Sequence, residues 1–156
     1  TIPDDLEDLE AAKIRYLMEK DGTEKLGPIL QEMQTVMMNN VSVFRHKETL
    51  DEALQAIRAL KKRFHDIGVH DKGSCFNREL LDVLELRHML DLAEVMTLGA
   101  LHREESRGAH SREDFPERDD QRFLAHTMVR YEEQAEPLLF TKPVNITRFE
   151  PKERKY

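Results

Sequence analysis

The residues best able to do chemistry lie between Arg103 and Asp120. That stretch reads Arg-Glu-Glu-Ser-Arg-Gly-Ala-His-Ser-Arg-Glu-Asp-Phe-Pro-Glu-Arg-Asp-Asp. Residues 103–122 hold five positive and seven negative side chains, and every positive one is arginine. A solvated face tends to mix Lys with Glu. Arginine instead presents a planar fork that holds a carboxylate or a carbonyl in fixed geometry. The pattern predicts a structured polar interface, internal or intermolecular. The competing reading is a self-satisfied loop laid over helices.

Other candidates carry less. His65 and His70 are five apart across a predicted helix end, His102 and His110 straddle another, and His46, His88 and His126 stand alone. None makes the i, i+4 pair with a supporting carboxylate that a helical metal site needs, so no metal is expected. Cys75, the single cysteine, precedes a predicted helix N-terminus near His70. A thiolate could be favoured there, but a small loop residue is the simpler reading. Ser106 and His110 are separated by Gly108 and lack an acidic orienter. The six glycines, at 22, 27, 68, 73, 99 and 108, are scattered. No phosphate-cradling loop or dinucleotide fingerprint can be drawn from them. We therefore expect no catalytic, cofactor-binding or metal-binding residues in this chain.

Helices must position the Arg-rich segment. The first is predicted over residues 4–20, with Leu6, Leu9, Ala12 and Tyr16 on one face, Pro3 at its start and Asp4 and Asp5 at its positive end. The second spans 28–40 on Ile29, Leu30, Met33, Val36 and Met37. Residues 41–45 then bridge onward, as helical continuation or a short strand. The third spans 47–67 on Leu50, Leu54, Ile57, Leu60, Phe64 and Ile67, with a capping-box spacing at Thr49 and Glu52 and Gly68 as its C′ residue. The fourth, 78–107, is capped by Asn77 and ended by Gly108. Between Leu80 and Leu101, 14 of 22 residues are apolar. That exceeds one stripe and predicts a central rod with neighbours on more than one side. Met33, Met37, Met38, Met89 and Met96 are expected in the core.

Beyond Gly108, Asp119 could cap a helical turn through Phe123. Residues 126–131 and 137–142 predict a β-hairpin, which needs helices or a further partner to lie on. The fold class is mainly α: an antiparallel three- or four-helix bundle with a small C-terminal β-hairpin and an extended, solvated tail. Residues 1–107 form the bundle, and residues 108–156 form the Arg/Asp-rich loop, hairpin and tail packed on it, one domain overall.

The chain has 156 residues, 24 Lys plus Arg and 31 Asp plus Glu, for a net charge of −7. A diffuse grip on nucleic-acid phosphates is not expected. One cysteine excludes an internal disulfide framework, a Cys-rich zinc site and an iron–sulfur cluster. No run approaches the ~20 apolar residues of a membrane span, so no direct membrane insertion is expected, and no signal-peptide pattern opens the chain. The opening Thr1-Ile2-Pro3 lacks methionine, so a piece of something longer is expected.

The Arg-rich segment also resembles the C-terminal region of the flavoprotein subunit of succinate dehydrogenase and fumarate reductase. The likeness is carried by Arg103–Glu–Glu–Ser–Arg–Gly–Ala–His110 and by the run from Arg112 to Asp120. Val41–Ser–Val–Phe–Arg45, Phe76–Asn–Arg–Glu–Leu80, His126–Thr127, Lys142–Pro–Val144 and the Pro–Lys–Glu–Arg–Lys–Tyr156 ending agree with it, so it covers nearly the whole chain. The resemblance implies a parent subunit that holds FAD and interconverts succinate and fumarate by hydride transfer, with electrons exchanged with quinone through an iron–sulfur subunit. It implies a peripheral place on the cytoplasmic face of the inner membrane, or the equivalent matrix side. The family's flavin-attaching and substrate-clamping residues lie upstream, and none maps here. FAD would belong to the parent, and this chain alone would be inactive.

Together the residues and the resemblance predict that Arg103, Ser106, Arg107, His110, Arg112, Asp114, Arg118, Asp119 and Asp120 anchor the tail and dock the bundle onto the flavin-binding domain. Two rivals remain open. One is the matching region of L-aspartate oxidase, whose Arg-Ser-Arg-Gly-type core is similar. The other is a non-enzymatic helical module that binds a partner through its long helix.

Overall fold

A computed structural model describes residues 6–132 and 135–152. The expected helix start at Pro3, Asp4 and Asp5 and the last four residues of the tail lie outside these. Four long helices, α1 (Leu6–Glu19), α2 (Leu26–Asn40), α3 (Lys47–Phe64) and α4 (Arg78–His102), are followed by a single turn, α5 (Asp120–Phe123). Two small sheets complete the fold. Strand β1 (Phe44–Arg45) pairs in parallel with β2 (Ser111–Arg112), and β3 (Ala125–Arg130) pairs antiparallel with β4 (Leu138–Pro143).

The helical periods build the core. Ile29 and Met33 from α2, Ile57 and Leu60 from α3, and Val83, Leu86, Leu90 and Ala93 from α4 are buried together with Ile67 and Val69. Val41, Leu50, Ala53 and Ala100 form a second cluster towards the end of α4. Charge pairs also join α3 to α4. The nearly buried Glu94 carboxylate accepts from Arg58 Nε at 2.9 Å and from Lys61 Nζ at 2.6 Å, and Lys61 also meets Asp91 at 2.7 Å. Glu136, in the turn of the hairpin, closes over Arg58. Arg63 likewise ties α3 to Glu24 and Glu32.

Several expectations are corrected. Helix α1 buries none of its residues, and Leu6, Leu9 and Tyr16 are exposed. Leu17 and Met18, rather than the expected face, touch the core. Helix α2 starts at Leu26, which places Pro28 in the first turn, where its missing N–H would have had no helical partner. Helix α3 begins at Lys47 with His46 as N-cap, so Thr49 is inside the helix and its hydroxyl donates back to His46 O at 3.0 Å. The capping box does not form. The helix ends at Phe64 and winds to Ile67 through turns with i to i−3 bonds.

Gly68 does not adopt the left-handed conformation of a helix C′ residue. Its smallness serves a close backbone crossing instead. A Cβ on Gly22 would lie 2.0 Å from Gly68 N, beside the Glu24–Ile67 bridge.

Helix α4 stops at His102 rather than Arg107. Gly108 takes φ +61° in the tight turn between Arg107 and His110, six residues beyond the helix end. Asn77 caps α4 as expected, accepting from Leu80 N at 2.8 Å. The helix packs on α2, α3 and β3, but not all round. Leu92 and Met96 are 60% and 55% exposed, and Leu81 and Met89 share their side of the helix. Of the methionines expected in the core, Met33 is buried and Met37 lies at its margin, while Met38, Met89 and Met96 are exposed.

Candidate functional site

The site is built where α4 ends. Four C-terminal carbonyls of a helix lack intrahelical partners, and Arg112 supplies donors for this end. Its Nη1 lies 2.9 Å from Ala100 O, 3.1 Å from Leu101 O and 3.3 Å from Arg103 O. Its other edge grips Asp114 in a fork, Nε to Oδ1 at 2.8 Å and Nη2 to Oδ2 at 2.7 Å. Asp114 then accepts from Lys47 N at 3.1 Å, the first amide of α3. The cation therefore sits at the negative end of α4 and its carboxylate at the positive end of α3. Arg112 is only 1% exposed and lies over the Phe115 ring, 4.9 Å from its centroid. Hydrogen bonding from Arg112 pulls the Asp114 pKa down to about 2.

Glu105 is the second hub, and it is fully buried. Its Oε1 accepts from Arg103 Nη1 and from Arg107 Nε at 2.8 Å; its Oε2 accepts from Arg107 Nη2 at 3.0 Å and Asp119 N at 2.8 Å. Burial pushes this carboxyl up, but the donors from Arg107, Asp119 and Arg103 outweigh it and hold it below the usual glutamate range. Arg103 also reaches the C-terminal segment. It donates to Phe123 O at 2.9 Å, Ala125 O at 2.6 Å and Thr127 Oγ1 at 3.2 Å. Asp119 caps α5 through Gln121 N and Arg122 N. Asp120 accepts from Arg107 at 2.7 Å and from Nε and Nη2 of Arg118, which hold its pKa at about 2.

Ser106 and His110 fasten the loop from inside. Ser106 Oγ accepts from Arg112 N at 2.8 Å and donates to Phe115 O at 2.9 Å. His110 lies between Arg103 O, 2.9 Å from Nε2, and Arg45 Nη1, 2.6 Å from Nδ1. All nine predicted residues thus fall in one connected cluster. No buried side-chain nitrogen or oxygen among the described residues lacks a hydrogen-bond partner.

Two members of the cluster lie outside the nine predicted residues, Glu105 and Arg45. Glu105 stands two residues from both Arg103 and Arg107, a spacing that could have singled it out. No local spacing ties Arg45 to the cluster, because its partner is 65 residues away. The other candidates do not assemble. His70 Nδ1 faces Glu79 at 3.0 Å, not Cys75, and Cys75 is exposed. The Ser106 hydroxyl serves backbone groups, not His110. No group of three or more metal-ligating side chains forms among the described residues.

What this geometry defines is a mainly α domain whose arginines hold its own carbonyls and carboxylates. Residues 30–156 match the family described as the fumarate reductase flavoprotein C-terminus. The chain is 44% identical over 135 residues to the fumarate reductase flavoprotein subunit of Mycobacterium tuberculosis, covering 86% of this chain and 23% of that one. It is 38% identical over 135 residues to the succinate dehydrogenase flavoprotein subunit of Rickettsia bellii, covering 86% and 22%. A structure of E. coli quinol fumarate reductase superposes with a TM-score of 0.89 at 32% identity, over 98% of this chain and 27% of that one. The chain belongs to the C-terminal family of fumarate reductase and succinate dehydrogenase flavoprotein subunits, and it spans about a quarter of the length of these relatives.

Proposed function

We propose that this chain is the supporting C-terminal region of an FAD-containing subunit that interconverts succinate and fumarate and exchanges electrons with quinone through an iron–sulfur subunit. Its own role is structural: it docks on the flavin-binding domain and performs no chemistry alone. The supporting observation is the apolar surface left without a partner among the described residues. Leu81, Met89, Leu92 and Met96 lie within one arc of α4, and Phe76, just before that helix, is fully exposed. Phe76 also holds φ +54°, a conformation bulky side chains avoid. The loop that presents it is braced. Asn77 Nδ2 donates to Asp71 O at 2.6 Å and Gly73 O at 3.0 Å, and Glu79 accepts the amides of His70 and Asp71. A strained, braced and solvent-facing aromatic is the form of an interface anchor.

In this reading the nine residues from Arg103 to Asp120 anchor the C-terminal segment and complete the docking surface. The parent is peripheral to the membrane, on the cytoplasmic or matrix side; no described helix is long and apolar enough to cross a bilayer. The test is Leu92→Glu paired with Phe76→Ala in the complete subunit. We expect faster proteolytic release of this region and reduced succinate–fumarate turnover, while the same changes in this chain alone alter stability by less than ~0.5 kcal/mol, as exposed substitutions do. Unchanged proteolysis and turnover in the complete subunit would refute the docking role. Flavin absorbance in the purified chain would refute the absence of chemistry.

A further inference from the structure

His110 joins two parts of the chain through its two ring nitrogens, and the geometry dictates where its proton is. Nε2 is 2.9 Å from Arg103 O, so it carries the hydrogen. Nδ1 is 2.6 Å from Arg45 Nη1, so it is bare, because a guanidinium can only donate. Arg45 in turn donates through Nε to Val41 O at 3.2 Å and Ser42 O at 2.6 Å, just beyond the end of α2. The Arg45–His110 contact therefore clasps the end of α2 to the end of α4. Beside it runs the parallel β1–β2 pair, with Ser111 N to Val43 O at 3.2 Å and Glu113 N to Arg45 O at 2.9 Å.

Three guanidiniums act on the ring. Arg45 faces the ring from β1, Arg103 from the end of α4 and Arg112 from β2. Arg107 and His126 line the same cleft. The carboxylates that could offset them are already held: Glu105 by Arg103 and Arg107, Asp114 by Arg112, and Asp120 by Arg107 and Arg118.

We propose that the Arg45–His110 contact is an acid-sensitive latch, independent of the docking role. A proton taken from solvent by Nδ1 turns that atom from acceptor to donor and sets it against the Arg45 N–H. Arg45 must then swing away, and the β1–β2 pair loosens while the helical core stays closed. Burial and the three neighbouring guanidiniums also push the His110 pKa below its ordinary value. The latch is closed above the normal histidine range and opens as pH falls below it.

The experiment is an NMR titration of the 156-residue chain from about pH 8 to about pH 5, reading histidine ring nitrogens and amide protection together. We expect His110 to be the neutral Nε2–H tautomer at neutral pH and to titrate below the ordinary histidine range. As it titrates, protection at the Ser111 and Glu113 amides should fall at least ~10-fold, with Ile57 unchanged. His110→Gln retains an acceptor for Arg45 and a donor for Arg103 O but cannot titrate, so its Ser111 and Glu113 protection should stay flat. Arg45→Met should raise the His110 midpoint. A charged His110 at neutral pH, or the same acid-induced loss in His110→Gln, would overturn the latch. Should His110→Gln fail to fold, the wild-type titration and Arg45→Met decide.

Discussion

Replacing Glu105 by Gln tests whether the arginine network holds the C-terminal segment or merely decorates it. The change keeps shape and removes one charge. The native carboxylate accepts four hydrogen bonds, from Arg103, twice from Arg107, and from Asp119 N. A glutamine oxygen can serve two of these donors, and its amino group is forced towards the other two. Hydrogen bonds to a charged group contribute ~1.5–3 kcal/mol each, and breaking a buried ion pair costs ~3–5 kcal/mol. Arg107 keeps Asp120 as a partner, which places the expected loss near the lower bound, ~3 kcal/mol. For a domain stable by ~5–15 kcal/mol that is a large fraction. With a urea slope of ~1–3 kcal/mol/M, the midpoint should fall by roughly 1–3 M at unchanged slope. Glu104→Gln is the control. Its only ion-pair partner among the described residues is the exposed Arg122, and it should cost ~0–0.5 kcal/mol. A Glu105→Gln loss below ~1 kcal/mol would refute the argument, because desolvating the carboxylate would then cancel what its four donors contribute.

Three further substitutions test the glycine crossing and the Arg112–Asp114 pair. Gly22→Ala should destabilise by ~2–4 kcal/mol in thermal or urea unfolding, because its Cβ would meet Gly68 N at 2.0 Å, backbone against backbone. Gly27→Ala, in the first turn of α2 with nothing within 4 Å of the added carbon, should be neutral or stabilising by up to ~1 kcal/mol. Asp114 and Glu105 both have lowered folded-state pKa values, with Asp114 at about 2. Their contributions are complete above the unfolded carboxylate range and are lost as pH falls through the folded values. Asp114→Asn should therefore cost ~1–2 kcal/mol near neutral pH, after allowance for solvent screening. Its unfolding free energy should converge on the wild type as pH approaches about 2; a constant difference across that interval would contradict the pairing.

Much of the fold was legible because local rules and burial agreed. The mainly α class, the Asn77 and Asp119 caps and the hairpin, within one residue at each strand edge, follow from period, capping chemistry and β-rich runs. The errors have a common origin in contacts remote along the chain. Gly68 resembled a helix stop, but its neighbour is Gly22, 46 residues earlier. The end of α4 was misplaced because Arg112, not a local cap, takes its carbonyls. The strand at Phe44 and Arg45 stayed ambiguous because its partner lies at 111–112. The density of arginine pointed to the cluster, but it could not show which carboxylate would be engulfed.

The Arg112–Asp114 fork has a consequence for how this region tolerates change. It measures where α3 starts against where α4 stops, as a caliper spans two edges. One residue inserted in either helix shifts that end by about 1.5 Å and turns it by roughly 100°, and the jaws no longer close. An added or removed residue is thereby better accommodated in the connections of this chain than in these two rods.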